Sequence, residues 1–353
     1  MSILGTKLKH IIEEAAKVIT AIVLGAMLLM LIASVLIQLP LIQNRICRRV
    51  INELNSQIDG QANLERIYFV LPNRIVVKNI SIVSHCPDSL LCDSIQQAMN
   101  MSDTLVACHK LSVALSTRDI LKGKLGANRL ELDNGVFNLN SEELRSTNLE
   151  RIFKIEKKAE EKKEKSDLAL ALSKLKLSRF RFTLKNPFKP QITADSLIDW
   201  ADLRLNNIDV DIKHIRLEDE VLTARILRVK FREASGFECR SLSGKLTLDS
   251  ELAAINDMLL SDNWSRLKMD YFRLRYNSAH ALATFTDSVS IEAKFNETVF
   301  CMRTLRKFSP TLPFCSGTYI LNGVADGPVR HMRGRDMTIE SLDGNVDMKF
   351  SYE

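Results

Sequence analysis

Glycine is scarce in this chain: 13 in 353 residues, where average usage would supply about 25. Glycine-rich phosphate cradles are disfavoured on that ground, and neither a P-loop nor a G-x-G-x-x-G occurs. The seven cysteines (47, 86, 92, 108, 239, 301, 315) are odd in number and irregularly spaced, which gives no disulfide framework. A net charge of +6, spread along the chain, lacks the concentrated basic face of a nucleic-acid binder, so none is expected as a partner. No G-x-S-x-G elbow is present, nor an S-x-x-K supported by companion motifs. The histidines are dispersed. No enzyme and no cofactor are expected.

The residues nearest to a metal set are His85, Cys86, Cys92, Cys108 and His109. Structural zinc sites use paired C-x2-4-C knuckles, and these spacings do not. Cys108 and His109 are adjacent on an alternating stretch, so they should point to opposite faces, and no metal site is expected. Cys86 and Cys92 would close a small loop in an oxidising compartment, or remain two free thiols.

What is present begins with a single long apolar run. Val18–Leu39 holds 22 residues without a charge, enough helix for a hydrocarbon core of about 30 Å. It is too long for the apolar region of a cleaved signal peptide, so residues 1–40 are read as an uncleaved membrane anchor. Lys7, Lys9 and Lys17 before it balance Arg45, Arg48 and Arg49 after it, which leaves the orientation open. Past Pro40, Ile42, Ile46, Val50, Leu54 and Ile58 recur every fourth position. That predicts an amphipathic helix over 41–60, stopped by Gly60.

The period then becomes two. Alternation predicts strands in 74–82, 110–116, 129–140, 179–185, 207–213, 244–250, 271–277 and 288–295, each with one apolar and one wet face. The apolar partners are Leu111, Val113 and Leu115; Leu130 and Leu132; Phe180, Phe182 and Leu184. Further along come Ile208, Val210 and Ile212; Leu246 and Leu248; Phe272 and Leu274; Val289 and Ile291. Asp209 and Asp211 share a wet strand side, and Arg179 and Arg181 stand opposite Phe180 and Phe182. Asp133-Asn134-Gly135, Asn322-Gly323 and Asp343-Gly344 read as hairpin turns. Arg333 and Arg335 face no obvious acidic partner. Short helices are expected at 117–123, 251–260 and 297–308, and the Lys/Glu run 154–167 reads as a solvated helical linker. It divides a first β block, 61–153, from a second, 168–353. The class is therefore mainly β: an elongated, curved antiparallel sheet behind an N-terminal anchor. A closed β-sandwich satisfies the same alternation.

The stretch "LNSQIDGQANLERIYFVLPNRIVVKNISI" (54–82) resembles the start of the AsmA and TamB family. "SDTLVACHKLSVALSTRDILKGKLGANRLELDNGVFNL" (102–139) is similar in its strand–turn–strand order, and "SGTYILNGVADGPVRHMRGRDMTIESLDGNVDMKF" (316–350) in its glycine-punctuated unit. The resemblance covers roughly 18–350 and rests on patterns of hydrophobicity and turns, in order behind an anchor. It implies an open, taco-like β-groove held in the inner membrane with its bulk in the periplasm, conducting phospholipid acyl chains between inner and outer membranes. The seventeen apolar residues above would then line the groove. The alternative it implies is a scaffold for assembly or secretion of outer-membrane proteins. Members of the family are far longer and reach an outer-membrane barrel partner through a C-terminal domain. This chain, ending at Glu353, is accordingly expected to be an N-terminal portion or a truncated product.

Overall fold

The structure, a computed structural model, describes residues 39–70, 73–84, 102–117, 119, 126–143, 146–153, 170–190, 197–277, 289–308, 317–328 and 331–352, with a few residues of the N-terminal apolar run. Within that run Thr20, Leu24, Gly25, Leu28, Leu29 and Ile32 are helical, and apart from Leu39 and Pro40 the rest of the expected anchor lies outside the described residues. Among the described residues no helix is long and apolar enough to cross a membrane. The 154–167 linker and the His85–Cys92 loop also lie outside them, as does most of the expected 117–123 helix, of which Thr117 and Asp119 are helical.

The chain order is α1 (Pro40–Gln57), β1 (Gln61–Asn63), β2 (Arg66–Val70), β3 (Arg74–Val83), β4 (Thr104–Leu115), β5 (Ala127–Glu143), β6 (Ser146–Thr147) and α2 (Asn148–Ile152). Then follow β7 (Leu170–Lys185), β8 (Asp202–Glu218), β9 (Val221–Glu233), β10 (Glu238–Leu248), β11 (Leu252–Ser261), β12 (Arg266–Tyr276) and β13 (Val289–Cys301). The last elements are α3 (Met302–Phe308), β14 (Thr318–Pro328), β15 (Arg333–Ser341) and β16 (Asp347–Tyr352).

All strands but the two-residue β6 belong to one curved, open sheet that runs in chain order from β1 and β2, both on β3, to β16. At about 4.8 Å per strand, that path extends roughly 60 Å. Its two ends do not pair with each other, so the sheet does not close into a barrel, and among the described residues no second sheet faces it as a sandwich would require.

The sheet is mixed, which corrects the all-antiparallel expectation. β5 and β7 run parallel, from Arg129 opposite Lys174 to Asn140 opposite Lys185. A parallel neighbour needs a long return connection, and residues 144–169, including the charged segment, supply it. That pairing makes the two expected β blocks one sheet.

α1 lies against the β1–β2 edge. Gln43 Nε2 donates to the Ile67 carbonyl at 3.2 Å, and Asn55 Oδ1 accepts from the Ala62 N–H at 2.7 Å. An exposed edge invites unwanted pairing, and the helix covers this one. The four-residue stripe is not quite the packed face: Ile42 and Val50 are exposed, while Gln43 and Cys47 are buried. Four steps of about 100° overshoot a full turn by about 40°, so the stripe drifts off the contact. The helix ends at Gln57, before Gly60.

Two turn expectations and one helix expectation are corrected. Asp133-Asn134-Gly135 and Asn322-Gly323 lie inside β5 and β14, and the expected 251–260 helix falls on strand β11, Leu252–Ser261. Left-handed residues sit mid-strand instead: Asn79, Asn134, Arg179, Asn207, His214, Asp257, Glu297 and Asp336, all with φ of 50–56°. Each kinks the strand and shifts its alternation by one, and at Arg179 and Asn207 the register between β7 and β8 shifts as well. In β11 the inward set changes from Ala253 and Ile255 to Met258 and Leu260 across Asp257, and a strand broken this way imitates helical spacing. Of the three expected turns, Asp343-Gly344 is the one that forms a hairpin turn, Gly344 having φ 75°. The expected 297–308 helix is shortened to α3, because β13 continues to Cys301.

Asn207 tests the role of these kinks. Asn207→Ile places a branched Cβ in the left-handed region and should lower stability by about 1–3 kcal/mol. Asn207→Gly should leave the melting temperature unchanged or raised. Equal melting of both variants in thermal denaturation would show that the left-handed backbone is not required there.

Candidate functional site

Residues directly opposite one another across paired strands point to the same side of a sheet, so the register identifies each face. Val77 pairs with Leu111, Leu111 with Leu132, Leu132 with Leu177 and Leu177 with Val210. The line continues through Val229, Leu242, Leu260 and Leu267. A parallel line joins Val113, Leu130, Leu175, Ile212 and Ile226. At the far end Phe295, Gly323 and the Met337–Phe350 pair carry the same face to β16. Among the described residues, the paired positions of this face carry one charged side chain, Glu233, at a rim.

All seventeen residues expected from the sequence lie on this face. Leu115 meets Ala127; Phe182 meets Phe137 and Leu205; Leu184 meets Leu139 and Leu203. Ile208 meets Phe180; Leu246 meets Ala224 and Ile255; Leu248 meets Leu222 and Ala253. Phe272 and Leu274 meet Ala293 and Ile291, and Val289 meets Tyr276. Phe180 and Val289 are buried and Leu248 is exposed; the other fourteen are half-buried. Residues inside a two-layer core would be closed on all sides, so the face is a single apolar layer.

Reading the sequence missed comparable members, among them Leu175, Leu177, Ile226, Val229, Met258, Met269 and Ala293. Met258, Met269 and Ala293 are 6%, 6% and 2% exposed and form the densest part of the floor, packed against Ile255, Phe272 and Ile291. A signal existed: two consecutive polar residues interrupt the alternation, as in Ser178-Arg179, Asn206-Asn207 and Asn256-Asp257. Close approach is visible at Gly135, where a Cβ would stand 2.7 Å from the Ala107 carbonyl and overlap the Phe180 ring. Phe137 and Phe182 stack beside it with centroids 5.9 Å apart.

One rim of this face carries lids. Ile58, Ala62, Leu105 and Ile152 cluster there, bringing the end of α1 and all of α2 over Ile82 and Phe137. A capping box at Thr147 and Glu150 starts α2. Farther along the rim, Ile198, Phe237 and Cys239 pack with Phe231 and Leu242. There Ile198 N–H donates to the Lys307 carbonyl at 2.9 Å, which ties residues 197–201 to α3. α3 is held in turn by buried Asp262, which accepts from the N–H groups of Trp264 and Ser265 at 2.6 Å each and from Thr304 Oγ1 at 2.7 Å. Burial pushes the Cys239 thiol up to about 11, so it stays protonated and unreactive.

The opposite face is polar. Asp211 pairs with Lys174 at 3.1 Å, and Asp209 accepts from the Arg179 N–H at 3.1 Å. Arg333 and Arg335 do have an acidic partner, Asp326, at 3.4 and 2.7 Å. The sequence hid it because the partner comes from the adjacent strand. The Arg179 guanidinium, hydrogen-bonded to Asp133, holds that carboxyl below the usual carboxylate range. Exposed pairs of this kind contribute little each; they keep this face wet. Cys108 is buried while His109 is exposed and bonds Asn79 Oδ1 at 2.7 Å. Among the described residues no group of three or more His, Cys, Asp or Glu side chains could hold a metal ion.

Such a molecule is a single-layer β-trough: one continuous apolar face, one charged face, and a lidded rim. No family model, no curated protein and no solved structure matches the chain.

Proposed function

We propose that this chain is a membrane-anchored, periplasmic β-groove protein of the AsmA and TamB type, whose apolar face shields phospholipid acyl chains and conducts them between inner and outer membranes. The observation that carries the reading is the unbroken, half-buried apolar layer from β3 to β16. Burying a methylene is worth about 0.8 kcal/mol, so two chains of about 16 carbons would cost on the order of 25 kcal/mol to expose to water. A lipid does not cross an aqueous gap unshielded. Continuous, non-directional apolar contact lowers that barrier without a tight site that would trap the lipid, and a floor almost free of charge suits it.

The scaffold reading has one observation in its favour. Among the described residues β16 pairs with β15 alone, and Met348 and Tyr352 are exposed on it, a geometry suited to strand addition by a protein partner.

Photoreactive amino acids at Val113 and Phe182 of the full chain in cells separate the two. Lipid adducts at both, with none at Lys176 on the polar face, are the expected result. Adducts absent from Val113 and Phe182, or equal at Lys176, would reject the conduit. Recovery of an outer-membrane barrel protein at β16 without lipid adducts would favour the scaffold.

A further inference from the structure

The lidded rim also carries large, exposed apolar side chains. Trp200 is 52% exposed, Phe308 44%, Phe188 41% and Leu305 41%. They form one patch. The Asn186 N–H donates to the Ala201 carbonyl at 2.7 Å, bringing the Phe188 turn beside Trp200, and the Trp200 and Phe308 rings are 6.3 Å apart. Exposed Lys189 and Arg303 flank the four, with Arg306 and Lys307 half-buried among them; Asp199 and Asp202 are acidic residues of the same described stretch.

The patch is continuous with the floor. Phe308 meets Phe237 edge-on at 5.2 Å, and Phe237 meets Phe231 at 6.1 Å. Phe231 pairs with Cys239 and belongs to the apolar face. Four rings thus lead from solvent to the trough, with buried Glu233 beside them at the rim, its N–H donating to the Phe237 carbonyl at 2.8 Å.

We propose that this patch docks on the surface of an anionic phospholipid bilayer and is a lateral portal through which acyl chains reach the floor. Aromatic rings that are apolar in body and polar at one edge settle at the headgroup boundary, and neighbouring cations favour anionic lipid. Trp200 supplies the first property, Phe308 and Phe188 add apolar area beside it, and Lys189 and Arg303 supply the second. The ring path gives the docked surface a destination. This inference rests on the lipid-conduit reading for the portal and on the patch alone for the docking.

The chain has two tryptophans, so Trp264→Phe leaves Trp200 as the only reporter. The full chain carrying that change is reconstituted into phosphatidylcholine vesicles with or without phosphatidylglycerol. Quenching is then read from lipids brominated near the headgroup and from aqueous iodide. In the anionic vesicles, bromolipid should quench the Trp200 emission by roughly half and iodide should lose access to it. Lys189→Glu with Arg303→Glu should return both readings to those of neutral vesicles. Iodide quenching without bromolipid quenching overturns the proposal, and so does bromolipid quenching that ignores lipid charge and the charge reversals. Lipid adducts at Val113 and Phe182 beside a Trp200 that stays in water would leave the conduit standing and remove this portal.

Discussion

Leu177→Asp together with Val210→Asp should empty the trough of lipid while the sheet stays folded. The two residues are direct cross-strand partners between β7 and β8, near the middle of the floor. Both are half-buried, so their new carboxylates keep water contact in the lipid-free protein. Each change should cost about 1–3 kcal/mol of stability, through lost apolar contact and like-charge repulsion. A bound acyl chain changes the balance, because it must strip water from two ionised groups, at several kcal/mol apiece against hydrocarbon. Lipid adducts at Phe182 should fall by at least about 100-fold, since a tenfold change corresponds to about 1.4 kcal/mol. Val113, two strands away, should lose its adducts as well if lipid travels along the trough. Lys176→Asp, one position away on the polar face, should change neither. Retained lipid in the double variant, with a normal melting curve, would mean that this face is not where acyl chains lie.

The second large effect is expected at Asp262. Its side chain accepts three hydrogen bonds, from Trp264 N–H, Ser265 N–H and Thr304 Oγ1. It is 4% exposed, so Asp262→Ala strands those donors away from water. Unsatisfied buried groups cost about 1–3 kcal/mol each, and a total loss of about 3–5 kcal/mol is expected for the variant. The damage should be local first. Ser265 Oγ, 2.7 Å from Thr304 Oγ1, also accepts the Cys301 N–H at 2.9 Å, so the whole start of α3 depends on this turn. With α3 loosened, the packing around Ile198, Phe237 and Cys239 opens. Cys239 reports it: 1% exposed and held protonated by burial, it should resist alkylation in the native chain and react at least about tenfold faster in the variant. Asp262→Asn, which keeps one acceptor oxygen, should fall between the two. Equal alkylation rates would show that Asp262 does not hold the lid.

Much of the floor was legible because its alternation is local. Phe180, Phe182 and Leu184 lie two apart with nothing between them but outward polar residues, and a strand must place them together whatever else it does. Met258 and Met269 were not legible in that way. Each stands just beyond a kink, where the count of inward positions restarts, and the stretch holding Met258 has the apolar spacing of a helix. Asp326 was invisible as the partner of Arg333 and Arg335 for a related reason: the contact spans strands, and sequence does not print register. The kink residues themselves leave a trace, a doubled polar pair inside an alternating run, which becomes readable once a bulge is allowed to shift the phase.

By itself the sequence determined a mainly β chain with one apolar and one polar side to its strands, and it identified those side chains where alternation runs without a kink. No P-loop, nucleophile elbow or paired metal knuckle is spelled out along it. Tertiary structure decided that the strands join into one open layer rather than two facing ones, that β5 and β7 run parallel, and that one rim is roofed by α2, α3 and residues 197–201. The physical reason is range. A side chain's facing is set by its neighbours two residues away, whereas layer number, strand direction and lids depend on backbone hydrogen bonds and packing between segments tens of residues apart.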